Sequence, residues 1–481
     1  MPVQTPHPDY TANLPKWQRC RDCREGGDAV KAQGTKYLPA LESGVLDRVR
    51  YHAYLSKAVF YNATARTVAG LAGTVFRKPP TVVAHADVND QLADVTLTHV
   101  PFTAFALSAF EEILTTGRCG ILVDMPDALA GNAPDGARPY WVPYRAEQII
   151  NWRTTTLQGR QMLSLVVLRE AVERADPVDE FVPTRAIEYR VLRLTPDGYE
   201  VQRFRQVGQG TERVEPVGPP TFPTRRGERL PFIPFMVVGP TNLTPDVALP
   251  PLLDLVDINL SHYRTSADLE HGRHYTALPT PYVCGVPVST QLEIGSGSAW
   301  IFSDPQARAG MLEFTGTGLA ALVTAMDSKE RQMAILGARM LEADKPAVES
   351  ADTLRTKQNG EQSVLRTMAG TLSRVLTMML RVHAWWLMLE RPDEECHVAL
   401  NTEFTSMRMT GPEAAALVTL WQAGGISFDT LYWNLERGEW TKPGVTVEQE
   451  KALVNADQID KVNENLQEQA ALMSLSAPVG A

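Results

Sequence analysis

The sequence predicts an α+β fold in which helix predominates, and three observations carry that reading. Apolar residues recur three and four apart through residues 10–76. Between about 139 and 240 the apolar period changes to two, the signature of half-buried strands. Beyond 250 the helical period returns and culminates in one very long stretch, Glu349 to Leu389. With 481 residues the chain is longer than one ordinary domain, so two to four subdomains are expected.

In chain order, Leu46–Leu55 and Ala58–Leu71 read as helices, and the second ends at Phe76-Arg-Lys-Pro79-Pro80 because proline cannot continue a helix. Thr103–Thr116 reads as a further amphipathic helix, followed by a short apolar strand at Cys119–Asp124. Met162–Glu170 is expected to be a strand. Ile187–Leu194 and Tyr199–Val207 flank Thr195-Pro-Asp-Gly198, whose residues supply the dihedrals of a tight turn, so a hairpin is expected there. Val214–Arg229, rich in Pro, Gly and Thr, reads as loop.

Pro250-Pro251 opens a helix to about His274, roughly 36 Å long for about 24 residues. Residues 276–317 read as short strands and turns. A second helix follows from Leu319 to about Leu336, and a short break at Gly337–Val348 leads into the long stretch, which Gly360 and Gly370 are placed to bend. The last ninety residues hold a strand-like segment at His397–Phe404, two or three helices and a polar, acidic tail from about 455. No internal repeat is visible.

Composition mainly excludes. The chain is 44% hydrophobic and 21% charged, as in a soluble globular protein. No apolar run approaches the ~18 residues needed to cross a membrane, and the first fifteen residues lack the pattern of a signal peptide. A protein made and used in a cytoplasm is expected. Five scattered cysteines argue against a disulfide framework. Cys20 and Cys23 have the spacing of half a zinc site, but no suitable second pair follows, so two ordinary thiols are expected and no metal. A net charge of −10 excludes gripping DNA with the whole surface, though not surrounding it.

Each candidate chemistry has a plainer reading. The phosphate-loop, HExxH and GxSxG patterns are absent. Gly295-Ser-Gly-Ser298 lacks the following lysine of a phosphate cradle and reads as a loop. His262, His271 and His274 share one predicted helix without an accompanying base, which suits a partly exposed face. Asp393-Glu-Glu395 reads as a solvated turn, and Trp385-Trp386 as core. The segment from Pro412 to Leu431 resembles a helix-turn-helix, yet its second helix, Phe428–Glu436, places only acidic charge before Arg437, so a structural helical hairpin is expected. No catalytic residue and no cofactor is expected.

What remains is an arrangement: two helices of about twenty residues flank a β-rich insertion, and a short loop after the second leads into a very long helix. Copies arranged head to tail in a closed ring could line a channel with such helices. The order of elements resembles the portal proteins of tailed bacteriophages, in particular the portal group filed as a domain of unknown function. The residues carrying the resemblance, from about 17 to 450, are Tyr37-Leu-Pro39, Ala58–Pro80, Asp254–Asp268, Arg331–Leu341, Glu349–Arg355 and Gly425–Leu431.

The resemblance implies a wing over residues 1–245, with a helical N-terminal part and a β-rich middle. It implies a first stem helix at 246–275, a clip at 276–317, a second stem helix at 318–337 and a tunnel loop at 338–349. A long wing helix at 350–399 and a helical crown with C-terminal tail at 400–481 complete the set. It implies a dodecameric ring at one capsid vertex of the virion, assembled in the host cytoplasm. Through that ring double-stranded DNA passes nonspecifically during packaging and ejection. The implied partners are the terminase large subunit, a head–tail adaptor, and the major capsid and scaffolding proteins. In that frame the channel lining is Lys329, Arg331, Arg339, Glu342, Asp344 and Lys345; Glu342 and Asp344 offset Arg339 and Lys345 in the loop, and Asp327 and Glu330 stand beside Lys329 and Arg331 on the helix, so the wall touches DNA lightly. Two other classes compete: a nucleic-acid-processing enzyme with an α+β body, which needs an active site the sequence does not display, and a monomeric cytoplasmic binding protein using the β-rich insertion, which molecular mass distinguishes.

Overall fold

The computed structural model describes residues 2–40, 48–126, 137–157, 159–175, 179, 181–207, 213–225, 227–277, 280–285, 300–302, 304–312, 316–341, 363–387, 396–404, 411–438, 440–441, 445 and 447–456. Of the described residues, helix makes up 48% and strand 23%, the α+β, mainly helical class that the periodicities predict. The chain divides into two units, 1–402 and 403–481.

The first unit opens with α1 (Pro8–Glu25) and α2 (Gly27–Ala32), then α3 (Arg48–Lys57) and α4 (Ala63–Val75). The helix expected from Ala58 starts five residues later. Asn62 caps it, accepting from the Ala65 amide at 3.0 Å, a local bond that competes with continuous helix through 58–62. It stops at Val75, ahead of Pro79 as expected. Strand β1 (Thr81–Val83), α5 (Ala86–Asn89) and α6 (Phe102–Thr116) follow.

Strands β2 (Cys119–Asp124), β3 (Tyr140–Arg145) and β11 (Phe235–Val238) form an antiparallel sheet in the order β11-β2-β3. Every residue of β2 is buried, as expected of an apolar run in a central strand. A second antiparallel sheet runs as a meander through β4 (Ile149–Leu157), β5 (Arg160–Ala175), β6 (Pro183–Thr195), β7 (Gly198–Gln206) and β8 (Val214–Pro216). The expected β6–β7 hairpin is present, with Thr195 opposite Gly198. Gly198 has φ +111°, and a side chain there would also meet Arg229 and the Leu230 carbonyl at about 3 Å. Within 214–229, expected as loop, lie β8 and the two-residue strands β9 (Thr224–Arg225) and β10 (Glu228–Arg229). Their brevity leaves no alternation for the sequence to display.

The two sheets are joined through buried charge. Arg190 on β6 donates to Asp124 on β2 at 2.8 Å and lies 3.0 Å from Glu170 on β5, which accepts from the Tyr144 hydroxyl on β3. These carboxylates keep the guanidinium charged despite its burial. A second such group, Arg21 on α1, bonds both Glu112 on α6 and Glu147 beside β4, at 2.6 Å to each. A buried charge left unpaired is costly, so the first network fixes four strands against one another and the second ties α1 to α6 and to the turn before β4.

Next come α7 (Leu253–Ala277), β12 (Thr280–Cys284), β13 (Arg308–Leu312), α8 (Thr317–Arg339), α9 (Val364–Trp386) and β14 (His397–Ala399), which pairs with β1. The long helix is described from Val364; Glu349–Gln362 lie outside the described residues. Helix α9 packs against α6, β2 and β11, and Leu372, Val375, Leu376 and Met379 join Phe110, Ile113, Ile121 and Val237 in the core. Trp386 is buried, and Trp385 packs edge-on to Phe232 with ring centroids 5.9 Å apart. In the second unit, α10 (Gly411–Gln422) and α11 (Phe428–Arg437) form a helical hairpin in which Trp421 meets Phe428 edge-on and Phe428 stacks on Tyr432. The Asp393–Glu395 and Gly295–Ser298 readings fall outside the described residues.

Candidate functional site

The feature with the clearest functional geometry is the hairpin of α7 and α8. Its 25 and 23 residues extend about 37 and 34 Å. The helices run antiparallel, with Thr276 beside Gly316, Gly272 beside Leu319, His262 beside Glu330 and Leu255 beside Met333. Gly272 permits the closest approach: a Cβ there would lie 2.6 Å from a Leu319 methyl.

The two helices have opposite environments. Helix α7 is buried on most sides, with Leu255, Val256, Leu260, Tyr263 and Ala267 nearly inaccessible. Its polar side chains tie it to the N-terminal helices. Asn259 accepts from the Thr64 amide and hydroxyl and donates to the Tyr61 carbonyl at 2.7 Å. Ser266 accepts from the Val59 amide, Asp268 accepts from the Tyr54 hydroxyl, and Arg264 donates to the Tyr37 carbonyl. Cys20 and Cys23 pack in the same core beside Val256 and Leu260, and burial raises both thiols, Cys20 to about 12. Among the described residues no group of three or more metal-ligating side chains comes together.

Helix α8, by contrast, buries only Met333 fully among its described side chains and turns the rest of its outer face to solvent. Ala320, Val323, Thr324, Asp327, Arg331, Ala334, Ile335, Ala338 and Arg339 are exposed along its length. Gly337 does not end it: α8 continues to Arg339, three residues beyond the expected end at Leu336, and Met340 directly after it is buried. One glycine costs about 1 kcal/mol in a helix, which the burial of Met340 offsets.

The six residues proposed for the lining separate. Lys329 turns inward, donating to the Ser261 carbonyl at 3.1 Å and to the Thr265 hydroxyl. Burial, followed by repulsion from Arg264, lowers its pKa. Arg331 and Arg339 face outward. Glu342, Asp344 and Lys345 lie outside the described residues. Glu330 reaches back to His262 at 3.2 Å, and burial holds the His262 imidazole below its usual range. The charged set exposed on α8 is therefore Asp327, Arg331 and Arg339. Sequence spacing did not reveal that Lys329 and Glu330 face the partner helix, because helical period alone does not say which arc a neighbour covers. His271 packs edge-on to Tyr54 with centroids 5.4 Å apart.

At the far end of the hairpin β12 and β13 pair antiparallel over five residues each, Thr280 opposite Leu312 and Cys284 opposite Arg308. The intervening residues 286–299 lie outside the described residues. Tyr282 and Met311 are half exposed, and Ile301 is 92% exposed. Among the described residues no helix is long and apolar enough to cross a membrane.

The fold and this hairpin define an α+β chain organised around an antiparallel helix pair that continues into a β-hairpin. Residues 251–387, from the start of α7 to the end of α9, match the family described as Domain of unknown function (DUF4055). Among solved structures, the chain is similar to one in "Virion of native gene transfer agent (GTA) particle", at 14% identity and a TM-score of 0.40, covering 85% of this chain and 98% of that one. It is also similar to one in "Neck of native GTA particle computed with C12 symmetry", at 12% identity and a TM-score of 0.39, covering 85% and 98%. No curated protein matches the chain.

Proposed function

We propose that this chain is a portal subunit, one of a ring of copies at a capsid vertex through which double-stranded DNA is packaged and ejected. The α7–α8 hairpin is its stem, β12–β13 its clip and the chain after α8 its tunnel loop. Residues 1–245 serve as the wing, 350–399 as the long wing helix and 400–481 as the crown. The observation that carries the reading is the asymmetry of the hairpin: α7 is enclosed by its own chain, while α8 exposes one face from end to end. A long helix with an open face on a folded body is suited to pack against its copy in a closed ring and to border the hole. Val323 and Ile335 are the apolar anchors of that face, and the small Ala320, Ala334 and Ala338 allow close approach.

Arg331 and Arg339, with Glu342, Asp344 and Lys345 beyond them, are the groups we assign to the channel wall. Lys329 supports that wall from behind through Ser261 and Thr265. The mixture of signs lets a polyanion pass without being held, since each phosphate contact adds to salt-dependent retention. The exposed Tyr282, Ile301 and Met311 give the clip an apolar surface suited to docking the terminase large subunit and then a head–tail adaptor. No covalent chemistry is assigned to the chain.

Mass photometry of the purified protein tests the ring. Twelve copies of a 53.1 kDa chain give a particle of roughly 640 kDa. A species that stays at the mass of one chain at micromolar concentration would refute the portal reading.

A further inference from the structure

A concavity of about 410 Å³ opens between α1, the turn ending at Tyr37, and the outer side of α7. Lys16, Arg19, Lys36 and Arg264 line it against a single carboxylate, Asp257. Four cations against one anion leave a net +3, in a chain whose overall charge is −10. The carboxylate is already engaged, 3.2 Å from Arg19. The other three cations have only neutral partners among the described residues. Lys16 donates to the Asn13 side chain at 2.9 Å, and Lys36 donates to Gln33 and sits 5.1 Å above the Tyr37 ring. Arg264 donates through Nε to the Tyr37 carbonyl at 2.9 Å, which leaves its two terminal nitrogens as a free fork.

These neutral bonds orient the cations without discharging them. Arg264 is felt as far as Lys329, whose pKa it helps depress. Like charges gathered without counter-charge repel one another, and a bound anion removes that repulsion. The occupant must carry about three negative charges in a small volume. Linked phosphates do so, since successive units carry one negative charge each within a few ångströms and offer non-bridging oxygens suited to an arginine fork.

We propose that this concavity binds closely spaced phosphates, either as a free oligophosphate or as a stretch of nucleic-acid backbone. Nothing in the argument depends on the portal reading, and the site lies on the side of α7 away from α8.

Isothermal titration calorimetry of the full chain with tripolyphosphate in low salt tests the site. We expect saturable binding of one ligand per chain, weakened about tenfold by Lys36→Gln and at least as much by Arg264→Gln. Asp257→Asn should tighten it, because it deletes the competing anion. Lys36 is exposed and holds no structural bond to another element, so its variant isolates binding from folding. Displacement by a DNA duplex identifies backbone as the source, and displacement by nucleoside triphosphate alone identifies a free ligand. Three results overturn the proposal: no saturation, affinities indifferent to all three substitutions, or tighter binding of hexaglutamate, which makes the site a receptor for acidic peptide.

Discussion

His383 on α9 lies in the core with about 1% of its surface exposed, between Trp141 on β3 and Gln91 after α5. The Trp141 indole can only donate, so it assigns Nδ1 as acceptor, and Nε2–H then donates to the Gln91 carbonyl oxygen at 3.0 Å. Protonation would set a second N–H against the indole. Burial first, and Arg138 second, hold this imidazole down to about 4. The folded state therefore resists a proton that the unfolded chain accepts near its ordinary pKa of about 6.5. Stability is full above that value, falls as pH drops from 6.5 towards 4, and is unaffected by this group below. At pH 5 the loss amounts to about 2 kcal/mol. Urea unfolding at pH 7.5 and pH 5 should show His383→Gln destabilised at the higher pH, with the gap to wild type narrowing at the lower. A constant gap would mean that the imidazole titrates normally.

Among elements, α8 is the most lightly attached of the long helices. Met333 joins Leu255 and Ala63 as its central anchor. Met333→Ala leaves a cavity at that junction and should cost about 2–4 kcal/mol in denaturant unfolding. Ile335, two residues along, is 53% exposed and faces away. Ile335→Glu should leave unfolding of the single chain within about 0.5 kcal/mol of wild type and disperse the proposed ring. The pair thus separates packing within a chain from packing between copies. Intact rings in the Ile335→Glu variant would show that this face of α8 is not the subunit contact.

At the scale of the molecule, the net charge of −10 opposes the proposed assembly, because copies brought together in a ring repel. Screening shortens that repulsion to about 10 Å at 0.1 M salt. The ring fraction measured by mass photometry should therefore rise between about 20 and 200 mM salt, whereas an interface held by ion pairs would weaken. The same charge disfavours tight retention of DNA, as the proposed conduit requires. The cationic concavity on α7 is a local exception, assembled from α1, the Tyr37 turn and α7.

Much of the architecture was legible in the chain because periodicity, proline and turn residues are local signals. They placed α6, β2, the β6–β7 hairpin, α7 and the start of the β-rich insertion within a few residues. The sequence by itself also determined the acidic charge and the helix–insertion–helix order on which the functional reading stands. Only tertiary structure decided which side of each helix is covered. Lys329 and Glu330 belong by sequence to a charged helix face, yet Ser261, Thr265 and His262 draw them inward. The concavity was equally invisible, since Lys16, Lys36 and Arg264 become neighbours only when α1 docks on α7. A side chain's charge is written in the sequence; what surrounds that charge depends on contacts between segments tens to hundreds of residues apart, and these set both its pKa and its partners.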